Sequence, residues 1–180
     1  MRIISGMMKG RKLVAPPGLN MRPTSDKVKG AIYNILSDRI IMASFLDLYA
    51  GSGSVGIEGL SRGARQVVFV DQDRRHLHYI RKNIPKGPFE GRYQIIQKSA
   101  SDFLITTKQS FDFIFIDPPY VSEELEKILP RLIQGDIIAE DGEIIIEHHR
   151  KKPLPENIGA FLLIKEYKYG ETLLSLYGRK

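Results

Sequence analysis

From residue 44 onward, short apolar runs alternate with stretches in which apolar residues recur every three or four positions. The runs "SFLDLYA", "QVVFVD", "YQIIQK", "FDFIFID" and "EIIIEH" predict strands. The intervening segments predict helices over residues 54–62, around Leu77, Ile80 and Ile84 as far as Pro85, around Phe103 and Leu104, and through Leu125, Ile128, Leu129 and Leu132 with a kink at Pro130. Upstream, Val28, Ala31, Ile32, Ile35 and Leu36 mark one face of a helix that Thr24 or Ser25 caps, with Asp26 in the first turn where the helix dipole favours an acid. Strands that are continuous apolar runs between helices indicate a parallel sheet covered on both faces. The tail "AFLLIKEYKYGETLLSLY" predicts a closing hairpin that turns at Gly170 and adds an antiparallel strand, and residues 2–5 and 11–15 predict a small N-terminal hairpin.

Such sheets bind ligands beyond the carboxyl ends of their strands, so the loops after Tyr49, Val70, Lys98 and Ile116 should line one crevice. Asp71 and Asp117 would then be neighbours. Within the first of these loops, Gly51, Gly53 and Gly56 form a G-x-G-x-x-G pattern, with Asp71 twenty residues beyond Gly51. Glycines there let the chain turn sharply and bring backbone N–H groups to a ligand, while an acid on the next strand accepts from ribose hydroxyls. Two cofactor classes compete for the loop. A dinucleotide would put its pyrophosphate on the helix N-terminus, but Asp47 would repel it. The same acid suits the ammonium of a methionine moiety, so S-adenosylmethionine fits better than NAD.

The run "FDFIFIDPPYVSEE" leaves the sheet through two prolines, which donate no backbone hydrogen bonds and fix their own φ. Such a turn holds the Asp117 carboxylate and the Pro118 carbonyl in place as two acceptors. An exocyclic base amine is a poor nucleophile, and acceptors at its two N–H bonds make its lone pair available and aim it. Tyr120 offers a face on which a flipped base can stack. The adjacent His148 and His149 should point to opposite faces of a solvated strand end rather than form a metal pair, and no metal site is expected.

Length and composition narrow the setting. The 180 residues suit one domain without a dividing linker, cysteine is absent, and no apolar run approaches the roughly 18 residues that span a bilayer. Met1 to Ser5 lack the apolar stretch of a signal peptide, which predicts a cytoplasmic protein. The net charge of +6 sits in residues 1–29, where Arg2, Lys9, Arg11, Lys12, Arg22, Lys27 and Lys29 face only Asp26. A basic arm on a neutral body suggests a polyanionic partner such as nucleic acid, although a solvated basic edge would look the same. The run Arg150, Lys151 and Lys152 is open to the same two readings.

Taken together, "MRPTSDKVKGAIYNIL", "FLDLYAGSGSVGIEGLSRGA", "VVFVDQD" and "FIFIDPPY" resemble the RsmD-type methyltransferases over essentially the whole chain. That resemblance implies a Rossmann-like class I methyltransferase fold: an α/β protein with a mostly parallel seven-stranded sheet. It implies transfer of a methyl group from S-adenosylmethionine to N2 of a guanine in 16S ribosomal RNA, leaving S-adenosylhomocysteine. Asp47, Gly51, Ser52 and Gly53 would hold the methionine part and Asp71 the ribose. Ser99 and Ala100 would lie beside the adenine, with Ala50, Gln72 and Asp117 completing the cofactor set. Asp117, Pro118 and Tyr120 would receive the amine, and Arg22 and Thr24 would wall the cofactor from the RNA. The chain departs from the family pattern at Gly30, where an acid is usual. The implied partner is ribosomal RNA or an assembling small subunit, expected to be contacted through Arg2, Lys9, Arg11, Lys12, Arg22 and Thr24, with no membrane and a monomeric enzyme expected. An adenine-N6 methyltransferase, an NAD-dependent oxidoreductase and a catalytically silent RNA-binding protein are the alternatives.

Overall fold

The computed structural model describes residues 1–15, 24–119 and 123–179. Among the described residues, five helices and eight strands follow one another as α1 (Asp26–Leu36), β1 (Ser44–Leu48), α2 (Ser54–Ser61), β2 (Gln66–Asp71), α3 (Arg74–Asn83), β3 (Tyr93–Gln97), α4 (Ala100–Thr106), β4 (Phe111–Ile116), α5 (Glu124–Gln134), β5 (Ile138–His149), β6 (Asn157–Ile158), β7 (Phe161–Tyr169) and β8 (Thr172–Arg179). A short 3-10 turn over Ser37–Ile40 follows α1. The strands form one sheet in the order β3-β2-β1-β4-β5-β8-β7-β6. Pairing is parallel from β3 to β5 and antiparallel from β5 through β8, β7 and β6. This is the mostly parallel α/β sheet that the alternating pattern predicts, in the Rossmann-like arrangement that the resemblance implies.

Period-two alternation divides the core. Phe45, Val67, Phe69, Phe113, Phe115 and Ile145 pack under α1, α2 and α3. Leu46, Leu48, Val68, Val70, Ile114, Ile116, Ile144 and Ile146 pack against α4 and α5 on the other face. Because parallel strands end at the same edge, residues of the first face that fall at the strand ends gather there, and these are Asp47, Asp71, Asp117 and Glu147.

The sheet has eight strands where seven are expected. The additional one, β6, is two residues long and follows Pro153 and Pro155, whose missing N–H groups leave no strand signal to read. The N-terminal hairpin reduces to one antiparallel bridge between Arg2 and Lys12, supported by Ile3 N–H donating to Arg11 O and Gly10 N–H donating to Ile3 O.

This segment is more than an attachment. Ile3, Met8 and Leu13 are buried, and the loop at Gly6 lies so close to α2 that a Cβ there would stand 1.9 Å from Ser61 O. Fully buried Glu58 of α2 accepts from Ile4 N–H at 2.7 Å, Ser5 N–H at 2.9 Å and Arg62 Nε at 2.8 Å. Lys29 Nζ lies 3.7 Å from the same carboxylate and donates to Arg2 O. Lys29 therefore belongs to the interior and not to the cationic surface; burial lowers its pKa against the pull of Glu58 and Asp26. His148 is likewise a correction to the expected solvated strand end. It is 2 % exposed, its ring bonded to Lys152 O at 2.9 Å and Ser175 Oγ at 2.8 Å, so it packs as a structural residue. No helix among the described residues is long and apolar enough to cross a membrane.

Candidate active site

At the carboxyl edge of β1, β2, β4 and β5 lies a crevice of about 450 Å³, within the range of small-molecule sites. Its walls include Asp47, Ala50, Gly51 and Ser52 from the first loop, Asp71 and Gln72 from the second, Ala100 from the third, and Asp117 and Pro118 from the fourth. The predicted meeting of Asp71 and Asp117 in one crevice is thus observed. Thr24, Tyr49, His76, Glu124 and Glu147 also line it.

The glycine loop forms for local reasons. Gly53 takes φ +78° as the residue before α2, and Gly56 sits where α2 meets β2 so closely that a Cβ would come within 2.3 Å of Phe69 Cε1. This contact holds α2 against the sheet, and it lets Gly56 N–H donate to Asp47 Oδ2 at 2.8 Å. The helix N-terminus is therefore already facing a carboxylate of the protein itself. An anion such as a pyrophosphate would have to compete with it, whereas a cation beside Asp47 would be welcomed. Asp47 is 2 % exposed, and burial, with Asp71 adding a smaller push, raises its pKa to about 7 against the pull of the Gly56 amide.

Asp71 is held from three sides. Its Oδ2 accepts from Gly51 N–H at 2.9 Å and lies 3.0 Å from His76 Nδ1, while Oδ1 accepts from Asp73 N–H at 2.8 Å. A carboxylate fixed in this way has further lone pairs with which to accept from vicinal hydroxyls. Asp73, which caps α3, is held at a pKa of about 2 by Arg75.

On the other side of the crevice Asp117 leaves β4 half-buried, and Pro118 is buried. Thr24 Oγ1 donates to Asp117 Oδ2 at 3.5 Å. The two candidate caps of α1 therefore divide their work: Ser25 Oγ accepts from Val28 N–H at 3.2 Å, and Thr24 turns to the crevice. Tyr49 has φ +68°, a left-handed conformation that is costly for an aromatic residue, and its hydroxyl donates to Glu124 Oε2 at 2.9 Å. Burial and that bond raise the Tyr49 pKa. This link joins the glycine loop to the helix that follows the diprolyl turn, and periodicity could not have revealed it.

Ser99 does not line the crevice. Its Oγ caps α4 by accepting from Asp102 N–H at 3.0 Å and bonds Asp102 Oδ2 at 2.7 Å, so its reach toward a ligand is already used. Gly53 shapes the loop without lining the cavity. Arg22 and Tyr120 lie outside the described residues. Arg2, Lys9, Arg11 and Lys12 are exposed on the N-terminal segment, which runs along α2 from Met1 beside Ser52 to Met8 beside Ser61. Arg2 and Lys12 thus stand nearest the crevice. Among the described residues no group of three or more His, Asp or Glu stands together as a metal site.

The residues present fit an adenosyl cofactor that carries a cationic amino acid end. Asp47 offers a buried carboxyl group that a neighbouring cation would hold ionised, Asp71 fixed acceptors, and the glycine loop a wall without side-chain bulk. Known proteins share this fold and much of this sequence. A family model described as Conserved hypothetical protein 95 matches residues 1–178. The Bacillus subtilis protein named "Putative rRNA methyltransferase YlbH" is 36% identical, with each chain covered completely. "Ribosomal RNA small subunit methyltransferase D" of Haemophilus influenzae is 34% identical over 98% of this chain and 92% of its own. The solved structure titled "Putative methyltransferase yhhF from Escherichia coli" superposes with a TM-score of 0.87 at 32% identity, covering 100% of this chain and 98% of that one.

Proposed function

The chain belongs to the Conserved hypothetical protein 95 family, that of the RsmD-type ribosomal RNA methyltransferases, and from that premise we propose that it methylates the N2 amine of a guanine in small-subunit ribosomal RNA. It acts as one S-adenosylmethionine-dependent domain over residues 1–180, in the cytoplasm and as a monomer, on the RNA or on an assembling small subunit. The observation that carries the reading is the shared crevice, with the cofactor-type loop and Asp71 on one side and the Asp117–Pro118 turn on the other.

Asp47 and Asp71 hold the cofactor, whose sulfonium methyl is the group transferred. Ala50, Gly51 and Ser52 shape its wall, with Gln72 and Ala100 beside the nucleoside. The Asp117 carboxylate and the Pro118 carbonyl each accept one N–H of the base amine, which localises the nitrogen lone pair and points it into the crevice. As the amine becomes alkylated it must lose a proton, and Asp117 is the acceptor already in contact with it. Tyr120 supplies the stacking face for the flipped base, a contact worth roughly 1–3 kcal/mol. Thr24 steadies Asp117, and Arg22 completes the wall toward the RNA. Exposed Arg2, Lys9, Arg11 and Lys12 supply phosphate contacts, which give affinity without sequence preference.

An NAD-dependent oxidoreductase is disfavoured because the anion-binding end of α2 is occupied by Asp47. The test is mass-spectrometric mapping of ribosomal RNA from cells that lack the gene. One N2-methylguanosine of the small subunit should be missing and return with the wild-type gene. An unchanged modification map would refute the proposal.

A further inference from the structure

We propose that Glu147 determines base specificity by accepting the N1–H of the target guanine, an inference that rests on the Asp117 turn receiving the base amine. Strand register brings the two acids together. Phe115 pairs with Ile145 and Ile116 with Ile146, so Asp117 and Glu147 are the next residues on neighbouring strands. Alternation sends both to the face of Phe115 and Ile145, and both line the crevice beside Thr24. Glu147 is 5 % exposed at a position whose partner on β8 is Leu174. A carboxylate kept there in place of an apolar side chain carries a desolvation cost, and functional sites are where such costs are retained.

The four acids of this edge fall into two pairs. Asp47 and Asp71, on β1 and β2, flank the glycine loop, whereas Asp117, directly after β4, and Glu147, on β5, stand at the turn that receives the base. Guanine presents N1–H and the N2 amine side by side, which calls for two acceptors side by side. Neighbouring strands, about 4.8 Å apart, provide that spacing. Adenine presents an amine beside an N1 lone pair, which Glu147 would repel. The turn alone fits either amine, and the residue on the next strand separates them.

The N1–H can be removed without removing the nucleophile. 2-Aminopurine keeps the 2-amine but carries a lone pair at N1. Small-subunit RNA is prepared with guanine or 2-aminopurine at the mapped position and assembled with its ribosomal proteins, and methyl transfer from S-adenosylmethionine is measured. The wild-type enzyme should prefer guanine by about 100-fold or more in kcat/KM, since a site built around a donor rejects an analogue that lacks it. Glu147→Gln, whose amide can donate to the N1 lone pair, should narrow that ratio by at least about tenfold while S-adenosylhomocysteine affinity stays within about twofold. The variant separates the N1 edge from the loss of O6, because only the group facing N1 has changed. A wild-type ratio near one, or an unchanged ratio in Glu147→Gln, overturns the proposal, and a wild-type ratio near one does so even if the variant does not fold. Failure of the wild type to methylate N2 of guanine would remove the reading of the turn and this inference with it. A ratio near one with N2 methylation intact would remove this inference alone.

Discussion

Replacing Glu58 with Gln should unfasten the N-terminal segment from α2. The carboxylate is fully buried and accepts three N–H donors, from Ile4, Ser5 and Arg62, with the Lys29 ammonium at 3.7 Å. In the variant the new amide must point its own N–H bonds at one or two of these donors, whichever way it is turned. Lys29 stays buried, with Asp26 at 3.8 Å as its remaining acid. Removing one partner of a buried ion pair costs about 3–5 kcal/mol. For a chain of this size each kcal/mol lowers Tm by about 2–4 °C, so a fall of roughly 6–20 °C is expected by calorimetry or circular dichroism. Glu58→Gln combined with Lys29→Met removes the stranded charge and should recover about half of that loss or more. A fall below about 3 °C, or a double variant as unstable as the two single losses added, would show that Glu58 and Lys29 do not form a stabilising buried pair.

Three further outcomes follow from the same contacts. Burial places the Asp47 pKa at about 7 in the free protein, so Asp47 holds its proton below that pH and folding stability from this group declines as pH rises from about 4 to 7. A cationic amino end requires the carboxylate, so S-adenosylhomocysteine affinity should rise by up to about tenfold per pH unit between pH ~5.5 and ~7 and then level. Asp47→Asn should flatten that profile, and a flat wild-type profile in calorimetric titrations would contradict it. Gly56→Ala puts a Cβ 2.3 Å from Phe69 Cε1, an overpacking of about 1–3 kcal/mol that should lower Tm and weaken S-adenosylhomocysteine binding as Gly56 N–H leaves Asp47; an unchanged Tm would count against the close approach. Arg11→Ala with Lys12→Ala should reduce the salt dependence of RNA binding by a slope of about 1–2, and an unaltered slope would exclude the segment as a docking surface.

Much of the fold was legible because its signals are local. The apolar runs that end in Asp71 and Ile116, the capping Ser25 and the glycine at 170 each announce an element through neighbouring residues. The glycine loop and the diprolyl turn were legible for the same reason. What escaped notice depends on partners distant in sequence. Lys29 reads as surface charge until Glu58 arrives 29 residues later on a packed helix. His148 reads as a strand end until Ser175 covers it from β8. Glu147 reads as one polar residue of "EIIIEH" until strand register sets it beside Asp117. Ser99 differs, since its cap on α4 is local, but a serine before a helix looks the same whether it caps or meets a ligand. The Tyr49–Glu124 bond spans 75 residues and has no periodic trace.

In the proposed reaction the turn at Asp117 aims a base amine into the crevice that holds the cofactor. Asp117→Ala separates these two functions when S-adenosylhomocysteine binding and methyl transfer to small subunits from cells lacking the gene are measured on the same preparation. Binding should stay within about threefold of wild type and transfer should fall by about 100-fold or more, the scale of losing one preorganised electrostatic contact. Transfer within about threefold of wild type would contradict that role of Asp117, as would a loss of binding large enough to explain the whole fall in rate.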